Sequence, residues 1–235
     1  DWSIRRASCP TPSWETCLEL NDYKQQYSGP IFICGNGASM NLLTAKQKTA
    51  LKARSTFAGS RWFIWEEGWT PDFYILTERK QTNEWLQRGF NKAQAKVARF
   101  FVDWHPTPND WVTVPRPPSN AHDVLNYGMG GLLGSCEQNA DLGIHLHYGK
   151  DTPLAMIQVA RYMGFGTFYL LGCETTRSGH SYDANEGRPM HADGIMDAYY
   201  ERAAKECSVY DCTPGGRLTQ QAILKAVELE DALAG

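Results

Sequence analysis

An α/β domain built on a mainly parallel sheet with helices on both faces is what this sequence predicts, on three observations. Short apolar runs alternate with stretches of helical period, a Gly-rich turn follows the first strong run, and 42% of 235 residues are hydrophobic, enough for a sizeable core. Residues 1–29, with Cys9-Pro10-Thr11-Pro12 and no long period, read as an N-terminal arm, and the domain proper as 30–235. Its first strand is Ile31–Cys34, the turn is Gly35-Asn36-Gly37-Ala38-Ser39, and Leu42, Leu43 and Leu51 give Met40–Arg54 a helical stripe. A second apolar segment, Trp62–Trp65, precedes a strand over Asp72–Thr77. Leu86, Phe90, Ala93 and Val97 then share one face of a helix over 82–100, and Arg99–Trp104 reads as the next strand. The stretch 105–139, rich in Pro, Asn, Asp and Gly, reads as a long loop. Order returns at Ile144–Tyr148, followed by a helix over Thr152–Gly164 and a strand over Thr167–Leu171. A lid-like loop over 174–191 leads to a helix over Ala192–Cys207, a strand near Ser208–Asp211 and a last helix after Gly216.

Composition bounds the partners. Lys plus Arg number 23 against 26 Asp plus Glu, a formal net charge of −3, so no global basic field grips phosphate backbones. Seven cysteines, an odd number spread over a long chain, read as reduced thiols in a cytoplasmic compartment. No stretch reaches the roughly 18 apolar residues of a membrane span. The N-terminus carries no apolar signal-peptide core.

Three places could carry chemistry. The Gly35–Ser39 turn opens a helix directly after a strand, where glycines permit close backbone approach and free amides attract a phosphate; it has two of the three glycines of a dinucleotide fingerprint. Gly172–Tyr182 follows a strand end, where open α/β sheets place ligands, and Tyr182 offers a phenol with His180 and Arg177 nearby. His191, after a Gly- and Pro-containing loop and just before a helix, is a candidate neutral-pH proton acceptor. No Asp-x-Asp, zinc spacing or Gly-x-Ser-x-Gly elbow occurs; His145-x-His147 is the one local pair with metal-binding spacing. Trp62, Trp65, Trp69, Trp104 and Trp111 could stack on a sugar ring or nucleobase, or fill the core.

Three islands resemble the bacterial sialyltransferases of the glycosyltransferase family 42 type and their uncharacterised relatives. They are Ile31–Met40, similar to that family's strand and Gly-Asn-Gly-Pro-Ser-Leu turn; Thr152–Gly172; and Tyr182 with Met190-His191, leading to Cys212-Thr213-Pro214. The resemblance implies one Rossmann-like doubly wound domain, a variant of the GT-A type. The implied activity is a metal-independent inverting glycosyltransferase with no cofactor and a nucleotide sugar, CMP-sialic acid-like or other, as donor. His191 would be the general base, with Gly35, Asn36, Gly37, Ser39, Ser60, Thr77, Thr152, Glu174, Thr176 and Tyr182 around the donor. Thr176 stands where the family has a second phosphate-binding tyrosine, Ser60 and Thr77 where it has asparagines, Thr152 where it has serine, and Glu174 where it has aspartate. The acceptor would be a glycan or other hydroxyl, a modified nucleic-acid base being less favoured by the charge. Two other readings share this cleft: magnesium-dependent phosphoryl or pyrophosphoryl transfer to a small metabolite, using Glu174, Asp183, Glu186 and Asp193, and a nucleotide-binding module without catalysis.

Overall fold

In the computed structural model the described residues are 17–18, 23–65, 67–76, 95–102, 122–126, 129–130, 146–147, 151–175, 179–181, 183 and 193–235. The strands, in chain order, are β1 (Cys17–Leu18), β2 (Pro30–Cys34), β3 (Thr56–Gly59), β4 (Phe73–Leu76), β5 (Ala98–Val102), β6 (His122–Asn126), β7 (Met129–Gly130), β8 (Leu146–His147), β9 (Thr167–Leu171), β10 (Ser208–Asp211) and β11 (Lys225–Ala226). The helices are α1 (Ala45–Lys52), α2 (Thr152–Met163), α3 (Asp193–Glu206), α4 (Arg217–Gln220) and α5 (Leu229–Ala234).

Nine strands form one sheet in the order β1-β6-β5-β4-β3-β2-β9-β10-β11, and every pairing in it is parallel. Seven of them are four or five residues long; β1 and β11, at the edges, have two each. β7 and β8 pair separately. The chain winds from β2 outward through β3, β4, β5 and β6, then returns to place β9 on the other side of β2 and continues through β10 to β11. Strand order therefore reverses between β2 and β9, and the crevice beyond their carboxyl ends is where such sheets receive ligands.

Burial explains the order. Ile31 to Cys34 are all buried, as a central parallel strand covered on both faces requires. One face packs Phe57, Phe73, Phe100 and Phe168 beneath α2 and α3, with Leu154, Met163 and Tyr200 among their partners. The other packs Phe32, Cys34, Tyr74 and Leu171 beneath α1 and α5, with Met40, Leu51 and Leu229. Each such side chain contributes about 1.5–3 kcal/mol by leaving water.

Several elements differ from their expected form. The helix expected over Met40–Arg54 is a 3-10 turn (Ala38–Leu42), then a break, then α1. Thr44 stops the first piece by accepting a hydrogen bond from Gln47 N–H while Gln47 Oε1 takes the Thr44 N–H, a capping box that starts a new helix. The apolar segment at Trp62 is a 3-10 turn (Trp62–Ile64), and the strand before it is β3; Thr56-Phe57-Ala58-Gly59 has little apolar weight yet is wholly buried. The loop expected over 105–139 contains β6 and β7. Of the residues expected to form the arm, those described pack on the domain: β1 pairs with β6, Gln25 and Tyr27 N–H donate to the carbonyls of Tyr162 and Met163, and Tyr23 lies in the core. The helix after Gly216 is the short α4, followed by β11 and α5. The helix expected over 82–100 falls mostly outside the described residues, whose end of it is β5.

Candidate functional site

The ends of β2 and β9 run directly into one another's loops. Gly35 N–H donates to Leu171 O at 2.7 Å and Gly37 N–H to Gly172 O at 2.8 Å. Neither position has room for a Cβ as the chain stands: one on Gly35 would overlap the Gly172 carbonyl oxygen, and one on Gly37 would overlap the end of the Glu174 side chain. A third strand of chain closes on the same turn. His180 bridges to Gly37, Ser181 N–H donates to Asn36 O at 2.9 Å, and Asn41 Nδ2 donates to Ser181 O at 3.0 Å.

Asn36 ties this turn to the neighbouring strand. Its Nδ2 donates to Gly59 O at 3.0 Å, at the end of β3. Ser60 follows with φ +58°, a left-handed conformation that costs a non-glycine residue about 1–2 kcal/mol. β4 holds it there: Ser60 N–H donates to Ile75 O at 3.0 Å, and the buried Tyr74 hydroxyl donates to Ser60 O. Gly59 itself has no room for a side chain, since a Cβ there would meet Ile75 and then the Thr152 methyl. Of the residues expected around a donor, Gly35, Asn36, Gly37, Ser39, Ser60, Thr152 and Glu174 thus form one continuous patch at the reversal point. Thr77, Thr176, Tyr182 and His191 lie outside the described residues.

Two of the amides at the start of the element after β2 are already engaged. Ser39 N–H donates to Glu174 Oε1 at 2.5 Å and Met40 N–H to Gly37 O at 3.1 Å, and the element they open is a 3-10 turn, with no α-helix until Ala45. A carboxylate of the chain itself therefore occupies the anion seat of the turn, which the bare spacing of the glycines did not reveal.

Buried acids back the site. Asp151, which precedes α2, accepts from the Tyr200 hydroxyl at 2.6 Å; burial pushes its carboxyl up to about 6, against the lowering effect of that bond and of the Thr152 amide. Asp211, at the end of β10, accepts from Thr213 N–H at 2.9 Å and the Thr219 hydroxyl at 2.8 Å, and burial raises it too. Cys173 N–H donates to Thr213 Oγ1, and burial, with the nearby carboxylates, holds its thiol far above the ordinary range, so it is no nucleophile. Cys34, Cys173, Cys207 and Cys212 are all free. Arg217 bridges the loop after β9 to α3: its N–H and Nε donate to the carbonyls of Glu174 and Thr175, and its guanidinium forms a fork with Asp197.

Trp62, Trp65 and Trp69 are core residues. They pack edge to face with centroids 4.9–6.1 Å apart, and Trp62 Nε1 donates to Trp69 O. Trp65 Nε1 donates to Asn41 Oδ1 at 2.8 Å, so the cluster braces Asn41 against Ser181 and takes no part in stacking. Trp104 and Trp111 lie outside the described residues, and His147 enters them by its backbone in β8. Asn41, Arg217 and the Thr213–Asp211 pair went unread in the sequence. A polar residue inside Met40-Asn41-Leu42-Leu43 was the one available sign of the first. No group of three or more His, Cys, Asp or Glu among the described residues is placed to share a metal ion, and no helix there is long and apolar enough to cross a membrane.

No protein-family model and no curated protein sequence matches the chain. Solved structures do. The sialyltransferase CstII from Campylobacter jejuni in complex with cytidine-5'-monophosphate aligns with TM-score 0.55 and 14% identity over 85% of this chain and 85% of that one. The same enzyme with the substrate analogue CMP-3FNeuAc gives TM-score 0.51 and 14% identity over 84% and 85%. The MAf glycosyltransferase from Magnetospirillum magneticum AMB-1 gives 0.48 and 15% identity over 81% of this chain, which spans about a third (33%) of that protein. The chain thus has the Rossmann-like α/β fold found in these sialyltransferase structures.

Proposed function

We propose that the chain transfers a sugar from a nucleotide-sugar donor to an acceptor hydroxyl with inversion. One observation carries the reading: the Gly35–Ser39 turn, the Glu174 loop and the His180–Ser181 return meet where strand order reverses, in a fold whose similar structures were solved with CMP or CMP-3FNeuAc across nearly their full length. The acceptor oxygen attacks the anomeric carbon, the bond to the phosphate oxygen breaks, and His191 takes the acceptor proton. Tyr182 donates to the departing phosphate. With the Ser39 amide spent on Glu174, phosphate stabilisation falls to Tyr182 and the loop that carries it.

A thermal-shift panel of nucleotides and nucleotide sugars tests the reading: a nucleotide raises the melting temperature and its sugar conjugate raises it further. A flat panel removes it. With the donor known, His191→Ala lowers turnover by about 10²- to 10⁴-fold and leaves the donor-induced shift intact. Full activity in that variant would take the base role from His191.

A further inference from the structure

Asn41 makes two hydrogen bonds that no step of the proposed reaction uses. Its Oδ1 accepts from Trp65 Nε1 at 2.8 Å, and its Nδ2 donates to Ser181 O at 3.0 Å. The two partners are chemical opposites, since an indole N–H only donates and a carbonyl only accepts. They are therefore satisfied by the amide in one orientation alone. Asn41 is exposed, and side-chain bonds made in competition with water contribute little to stability. Trp65 is buried, packed edge to face against Trp62 and Trp69, with Lys48 Nζ over its ring at 5.3 Å from the centroid. A packed cluster thus aims an exposed amide at one particular carbonyl.

That carbonyl belongs to the peptide unit joining Ser181 to Tyr182. A peptide unit is planar, so fixing its oxygen fixes the plane from which the next residue departs. The same short segment is held by backbone bonds as well. Ser181 N–H donates to Asn36 O at 2.9 Å, and His180 bridges to Gly37. His180 and Asp183 exchange hydrogen bonds of 2.8 and 3.2 Å across the two residues between them. Of these ties, the one from Asn41 is made by a side chain, and a substitution removes it without touching the backbone.

Resting on the nucleotide-sugar reading above, in which Tyr182 donates to the departing phosphate, we infer that Asn41, oriented by Trp65, is a positioning residue for Tyr182. Its effect passes through the Ser181 peptide and not through contact with the donor. A misplacement of about 1 Å is enough to weaken a contact to the reacting groups.

Asn41→Leu, which keeps the shape and loses both polar ends, Trp65→Phe, Tyr182→Phe and the double variant Asn41→Leu/Tyr182→Phe are made in the full chain. Calorimetry measures binding of the four common ribonucleoside 5'-monophosphates. Asn41→Leu is expected to weaken the monophosphates that bind about three- to tenfold, and to cause no further loss when added to Tyr182→Phe. Trp65→Phe, which keeps a ring and loses the N–H, gives a smaller loss of the same kind; none would remove the part given to Trp65. An equal loss from Asn41→Leu with and without the Tyr182 hydroxyl is what a merely structural role produces, and it overturns the inference. If Tyr182→Phe weakens binding and Asn41→Leu matches wild type, the inference falls alone. If Tyr182→Phe has no effect, the phosphate role of Tyr182 falls and the inference with it; if no monophosphate binds, both fall together with the functional reading.

Discussion

Gly35 and Gly37 are two residues apart in the same turn, yet their substitution costs differ in kind. At Gly35 the obstacle to a Cβ is backbone, the Gly172 carbonyl oxygen, which cannot retreat without breaking the bonds that join β2 to β9. At Gly37 it is the end of the Glu174 side chain, which can swing aside by giving up the Ser39 amide. Urea denaturation of Gly35→Ala is expected to show a loss of about 3 kcal/mol or more, or no soluble protein. Gly37→Ala is expected to lose about 1.5–3 kcal/mol, the worth of a hydrogen bond to a charged group. Adding Glu174→Ala to Gly37→Ala costs little more, because the bond to the Ser39 amide is already given up, whereas adding it to Gly35→Ala costs that bond in full, a difference that a double-mutant cycle reads directly. The glycines were legible in the sequence as a turn; the carboxylate facing them was not, because it comes from 135 residues away.

Between elements, the Asp151–Tyr200 hydrogen bond joins the start of α2 to the middle of α3, and the burial of Asp151 makes stability depend on pH. Burial raises the Asp151 carboxyl from 3.8 to about 6, so between those values the folded chain keeps a proton that the unfolded chain has released. The contribution of Asp151 to stability is fully present below pH 3.8, is lost as pH rises through the interval and is absent above 6, a change of about 3 kcal/mol at 1.4 kcal/mol per pKa unit. Asp211, raised by burial, adds in the same direction. For Glu206, burial is outweighed by hydrogen bonds from Arg202 and Arg161, and its lowered carboxyl acts oppositely, below its ordinary value of 4.5. Urea midpoints at pH 4.5, 6 and 7 are expected to decline in the wild type and to flatten in Asp151→Asn. An unchanged slope in that variant would remove Asp151 as the source. The helices α2 and α3 were themselves plain from their apolar spacing, but the bond between them is not a periodic property. Likewise β3 escaped notice, since Thr56 and Gly59 owe their burial to β2 and β4 on either side rather than to their own hydrophobicity.

Across the whole molecule, residues 23–29 pack against the core of the domain. Tyr23 meets Phe100 at 5.7 Å between ring centroids, and Tyr27 meets Phe73 at 5.1 Å and Phe165 at 5.3 Å. A chain beginning at residue 30 loses both rings and the backbone bonds to Tyr162 and Met163. At about 3 kcal/mol for each aromatic removed from a core, and about 2–4 °C per kcal/mol for a chain of this size, its melting temperature is expected about 12–24 °C below that of the full chain. A truncated form that melts with the full chain would restore the boundary at residue 30.

Local regularities carry the part of this protein that could be read along the chain. Apolar runs and helical spacing mark strands and helices, and their alternation requires a parallel sheet, because a helix must return the chain before the next parallel strand can form. Glycines after the first long run mark the turn at its end. Folding alone decides the reversal of strand order beside β2, the carboxylate seated on Ser39 and the bonds that hold Asn41 between Trp65 and Ser181. Each of these depends on groups far apart in the chain meeting at one sheet edge, and no local pattern encodes a meeting whose energy comes only from burial and pairing in three dimensions.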